Sequence, residues 1–82
     1  MQRNGWLQDP ETKNTKRFHR DQKSWFRYPK VFIDSGRAIP NEHPLLKSRS
    51  YVALRDAKEE WLKLKKEGWR KVRPQWGSDA DV

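Results

Sequence analysis

No cysteine occurs in this chain, so disulfides and thiolate metal ligands are excluded, and with them a secreted disulfide scaffold. Histidine is scarce, with His19 and His43 the only two. A zinc site needs three or four nitrogen or sulfur ligands at defined spacing, and two isolated histidines do not supply one. The acids are scattered, and the one Asp-x-Asp spacing, Asp79 with Asp81 in the terminal GSDADV, has no further acid near it, so no magnesium or calcium loop is expected. The four glycines, Gly5, Gly36, Gly68 and Gly77, stand alone, which excludes a phosphate-cradling glycine loop. No apolar run approaches the roughly 18–20 residues of a membrane span. The opening MQRNGWLQDP lacks the apolar stretch of a signal peptide. A cytoplasmic protein with no cofactor, no metal and no membrane partner is the expectation.

What the chain has is charge and large aromatics. Its 82 residues carry 19 Lys+Arg against 11 Asp+Glu, a net +8. Asp79 and Asp81 sit in the terminal GSDADV, so residues 1–76 set 19 cations against nine acids, or +10. Such an excess attracts polyanions or acidic proteins, although charge of this order also keeps small domains in solution. A chain this short buries only about 60–65% of the surface its unfolded form exposes. Five tryptophans and three phenylalanines, each covering roughly 150–250 Å², can build a core from few positions and argue against disorder.

The clearest element is an amphipathic helix starting at Leu54. At about 100° per residue, Leu54, Ala57, Trp61 and Leu64 fall within an arc of about 80°. Arg55, Glu59, Lys63 and Lys66 lie opposite. Gly68 follows the last turn, where a left-handed cap residue is expected. The start is weakly signalled, since Ser50 is the nearest good cap and Ala53 a poor one. Trp69–Arg73 reads as a strand ended by Pro74. Upstream, residues 5–8 read as a short strand ended by the Asp9-Pro10 turn. Residues 16–20 read as a second strand with Phe18 facing inward, and residues 30–34 as the most strand-like run. Trp25 to Pro29 is an irregular lead, residues 37–44 are turn-rich, Leu45-Leu46 anchors a crossing loop, and residues 47–50 are polar. The fold class is α+β: a small antiparallel sheet of about four strands, one C-terminal amphipathic helix on one face, and a final strand after it. Residues 1–4 are expected to fray, residues 5–76 to form one domain, and residues 77–82 to be a flexible acidic tail.

These residues together resemble a family of short cyanobacterial and cyanophage proteins, the domain of unknown function 1651. The resemblance runs through Gly5-Trp6-Leu7 to Asp9-Pro10, Arg17-Phe18, Lys23-Ser24, Val31 to Gly36 and Pro40. It continues through Leu45 to Arg49, Ala57 with Trp61, Gly68-Trp69 and Pro74-Gln75-Trp76. It covers residues 5–76. The run Val52 to Asp56 departs from the Ser/Thr cap usual at that helix start. The resemblance implies a cyanobacterial or cyanophage source and no catalytic residue.

Nucleophilic catalysis needs a Ser, Thr or Cys beside a base, and no spacing ties His19 or His43 to a serine. His19 reads as a strand-surface residue and His43 as a loop residue, and no enzyme is expected. Residues 13–30 hold seven cations against Asp21 alone, interleaved with Phe18, Trp25, Phe26 and Tyr28. Cations track a phosphate backbone and exposed aromatics stack on unpaired bases. Phe18 and Trp25 are expected in the core, Phe26 and Tyr28 outside it. Arg70, Lys71 and Arg73 form a second cluster. The chain reads as a small basic non-catalytic binding module, with nucleic acid as partner through Lys16, Arg17, Arg20, Lys23, Arg27, Tyr28, Lys30, Arg70, Lys71, Arg73 and Trp76. The alternative is an adaptor or inhibitor docking on an acidic protein surface, with Trp76 as its anchor. A small toxin-like ribonuclease using a histidine is a third reading.

Overall fold

Strand β1 (Asn4–Gln8) turns at Asp9-Pro10 into β2 (Thr15–Arg20). The carboxylate of Asp9 accepts a bond from the Glu11 amide at 2.9 Å, the side-chain-closed turn that Asp before Pro favours. β3 (Lys30–Arg37) and β4 (Leu45–Ala53) follow, then α1 (Leu54–Lys66) and the two-residue β5 (Arg70–Lys71). The computed structural model describes residues 4–77. The fraying expected of residues 1–4 and the flexible acidic tail expected of residues 77–82 lie largely outside that range, although Asn4 already belongs to β1.

All five strands form one antiparallel sheet in the order β4-β3-β2-β1-β5. Four gaps of about 4.8 Å make it roughly 19 Å wide. α1, at 13 residues, is about 20 Å long, long enough to carry the chain from the β4 edge to the β5 edge. Period-two alternation puts Leu7, Phe18, Val31 and Ile33 on the helix side. There they pack with Ala57 and Leu64, bordered by Val52, Leu54, Trp61 and Trp69. The α+β architecture read from the sequence is therefore the observed one.

Gly68 ends the helix at φ +104°. Its amide bonds the Lys65 carbonyl at 3.2 Å, and the Trp69 amide bonds that of Leu64 at 3.0 Å. This is the paired closure in which glycine tolerates the left-handed turn. The helix start has no side-chain cap. Ser50 does not serve, because β4 runs straight into α1. The Leu54 amide instead donates to the Pro29 carbonyl at 2.9 Å, tying the β2–β3 loop to the helix.

Trp61 lies over Gly5 and meets Phe18 edge-on at 5.2 Å. A Cβ at position 5 would stand 2.7 Å from Trp61 Cη2, so β1 must be bare there for the ring to seat. Gly5→Ala is expected to cost about 1–2 kcal/mol by overpacking, read as a lower urea midpoint with unchanged slope.

Three expectations are corrected. Leu45 to Ser50 is not a loop with an anchor but most of the nine-residue β4. Its register skips Lys47, since Ser35 pairs with Ser48 and Gly36 with Leu46. That bulge breaks the alternation, and as an edge strand it carries the charge edges favour. Trp25 is 72% exposed, because the polar-bounded loop holding it stands away from the core. The last strand is Arg70–Lys71 rather than Trp69–Arg73, extended only by the Val72 amide bonding the Trp6 carbonyl at 3.0 Å.

Candidate functional site

The sheet face away from α1 carries a dense set of interacting polar and aromatic groups. Register fixes its layout. One cross-strand row runs Trp6, Arg17, Asp34, Arg49, and the next runs through His19, Phe32 and Tyr51. Neighbours in a row stand about 5 Å apart, so side chains from four separate strands meet.

Asp34 is the hub. It is fully buried, and its carboxylate accepts from Arg49 Nε at 2.6 Å, from the second Arg49 nitrogen at 3.1 Å, and from His19 Nε2 at 2.8 Å. Arg17 approaches to 4.0 Å. Burial pushes this carboxyl up, but the Arg49 and His19 hydrogen bonds and charges outweigh it and hold Asp34 below the ordinary carboxylate value. It is ionised at neutral pH. His19 is pulled the other way: burial holds its pKa below 6.5 against the Asp34 bond, with Arg17 and Arg49 adding repulsion. The neutral ring therefore donates from Nε2 to Asp34.

Aromatic planes organise the cations around this hub. Arg17 lies over Trp6 at 5.5 Å, Arg49 over Phe32 at 4.9 Å and Lys30 near Tyr51 at 5.7 Å. Phe32 stacks with His19 at 5.3 Å and tilts against Tyr51 at 4.7 Å. Tyr51 is half exposed, and its hydroxyl donates to Asp21 in the β2–β3 loop. The same loop holds Phe26 and Tyr28, exposed as the sequence reading expects, beside exposed Trp25.

Protonating His19 in place adds a cation between two guanidinium groups. Its folded pKa lies below the unfolded value, so the unfolded state takes up protons first as pH falls. Stability is then expected to be full above about pH 6.5 and to decline as pH drops through the lowered folded value. Thermal melts of the wild type and His19→Gln across pH 5–7.5 check this, with the variant losing the slope.

The residues singled out in the sequence divide. Arg17, Lys30 and Arg70 share the open face by strand alternation, whereas Lys23, Arg27 and Tyr28 lie exposed in the β2–β3 loop, where Arg27 and Tyr28 border the start of α1. Lys16 and Arg20 fall on the helix side, where Lys16 pairs with Glu60 at 3.6 Å. Lys71 alternates to the helix side too, and Arg73 lies exposed past β5. Trp76 is no protruding anchor. It is 7% exposed and packs edge-on against Trp6 at 4.6 Å, its indole nitrogen buried without a partner among the described residues. Phe32, Asp34, Arg49 and Tyr51 were missed. Alternation along β3 and β4 places them together, but only once β4 is known to be a strand. His43 sits in the β3–β4 loop, across the sheet from the β2–β3 loop.

An antiparallel sheet with one helix on one face and a polar, aromatic face on the other defines a small α+β domain whose distinctive surface is its open sheet. The chain belongs to the family described as protein of unknown function (DUF1651), whose model matches residues 4–76. No curated protein and no solved structure matches the chain. Among the described residues, no helix is long and apolar enough to cross a membrane.

Proposed function

We propose that the domain is a non-catalytic module that binds single-stranded nucleic acid on its open sheet face. The observation that carries this reading is the adjacency of two rows: guanidinium groups held in place by a buried carboxylate, and beside them a run of stacked rings. An open sheet with aromatics suits unpaired bases, which stack on rings, while Arg and Lys follow the phosphates. The exposed loop aromatics Trp25 and Phe26, with Lys23 near them, are available to lengthen the platform. Readout is sequence-tolerant, because stacking accepts every base. A catalytic role for His19 is disfavoured by its chemistry: the ring is neutral, and its Nε2 proton is committed to Asp34.

Titration of labelled single- and double-stranded oligonucleotides at two salt concentrations tests the proposal. Single strands are expected to bind more tightly than duplex, with affinity falling as salt rises. Absence of binding at about 50 mM salt, where a phosphate-tracking surface is strong, contradicts it.

A further inference from the structure

A second surface lies where the β2–β3 loop meets the helix. A groove of about 710 Å³ opens between them. Its apolar lining comes from Tyr28, Pro29, Ala53, Leu54 and Leu62. Leu62 is 67% exposed and Tyr28 69%, and Leu62 takes no part in the core cluster. Arg27, Lys30, Arg55 and Lys58 stand around this lining, with Glu59 the one acid in it among the described residues.

We infer that this groove docks an acidic peptide segment of a protein partner, seating one apolar side chain against Leu54 and Leu62 while its carboxylates meet Arg27, Arg55 and Lys58. The chemistry discriminates among occupants. A nucleic acid would find one ring here and an acid in the wall, whereas aliphatic walls suit a leucine- or isoleucine-like side chain. A peptide also brings backbone N–H donors that Glu59 can accept, which a phosphate backbone lacks. A second copy of this chain would set cationic groove against cationic groove in a symmetric contact, and like charges facing each other oppose association. Lys30 borders both this groove and the open sheet face, but Leu54, Arg55, Lys58 and Leu62 belong to the groove alone, so its apolar contact is tested independently of nucleic-acid binding.

The test is selection from a displayed library of random ten-residue peptides on the wild type, with Leu62→Asp/Lys58→Glu as the counter-selection. Both side chains are exposed, so the double variant should keep the wild-type melting temperature. Enriched peptides are expected to place Asp or Glu around one Leu, Ile or Phe. Their affinity should fall at least tenfold on the double variant. It should be unchanged on Phe32→Ala/Tyr51→Ala and unaffected by excess single-stranded oligonucleotide. Four outcomes overturn the inference. They are no enrichment over the counter-selection, enriched peptides without acids, displacement of the peptides by oligonucleotide, or a dimer in sedimentation that Leu62→Asp dissociates.

Discussion

Asp34→Ala is expected to lower the unfolding free energy by about 2–3 kcal/mol. Removing one partner of a fully buried ion pair typically costs roughly 3–5 kcal/mol. Here the loss is smaller because Arg49 is 42% exposed and regains water, whereas Arg17 and His19, at 16% and 18%, regain less. For a domain of this size the change corresponds to roughly 10–20 °C in melting temperature. Asp34→Asn should fall between the two, keeping the shape and one acceptor but not the charge. The acid limb separates them further. Asp34 titrates below its unfolded value of 3.8 in the folded state, so its contribution is present above about pH 4 and lost as pH falls through the lower folded value. The wild type is expected to lose stability steeply there, and both variants to lose less. Urea unfolding of the three proteins from pH 2.5 to 7 reads the difference directly.

Phe32→Ala/Tyr51→Ala is expected to weaken single-strand binding by about 1–3 kcal/mol, or roughly 5- to 150-fold. A base stacked on an aromatic ring gains about 1–3 kcal/mol; Tyr51, half exposed, offers such a face, and Phe32, covered by Arg49 and His19, backs it. Neither substitution alters net charge, so the salt dependence should keep its slope while the whole line drops. That pattern distinguishes loss of stacking from loss of phosphate contacts, since each phosphate contact removed lowers the slope by about 0.7 for a single strand. Filter-binding or anisotropy titrations over a salt series supply both quantities.

The two predictions rest on residues of different legibility. The helix was readable because Leu54, Ala57, Trp61 and Leu64 keep one period and Gly68 closes it. Phe18 was readable as core because it is the one apolar residue in a basic strand. β4 was not readable. Its helix-side positions include Ser48 and Ser50, both exposed, and the bulge at Lys47 shifts the alternation on either side of it. The site inherited that gap. Arg49 and Tyr51 reach Asp34 and Phe32 only through β3–β4 pairing across 15 and 19 residues, a long-range register that no local pattern encodes. Basic runs in the sequence marked where charge is plentiful, but alternation then sent Lys16 and Arg17 to opposite faces. Whether Trp76 is buried was not readable for the same reason: the partner that buries it, Trp6, lies at the other end of the chain.

The central claim is that binding belongs to one face of the sheet and not to the net charge of the domain. A charge-matched comparison tests it. Lys30→Gln/Arg49→Gln removes two cations from the open face, and glutamine at position 49 can still donate to Asp34. Lys63→Gln/Lys66→Gln removes two from the exposed side of α1. Affinity for one single-stranded oligonucleotide is measured for both at the same salt concentration. The open-face pair is expected to lose at least tenfold and the helix pair less than threefold. Equal losses would show that only total charge attracts the strand, and the open-face site would be contradicted.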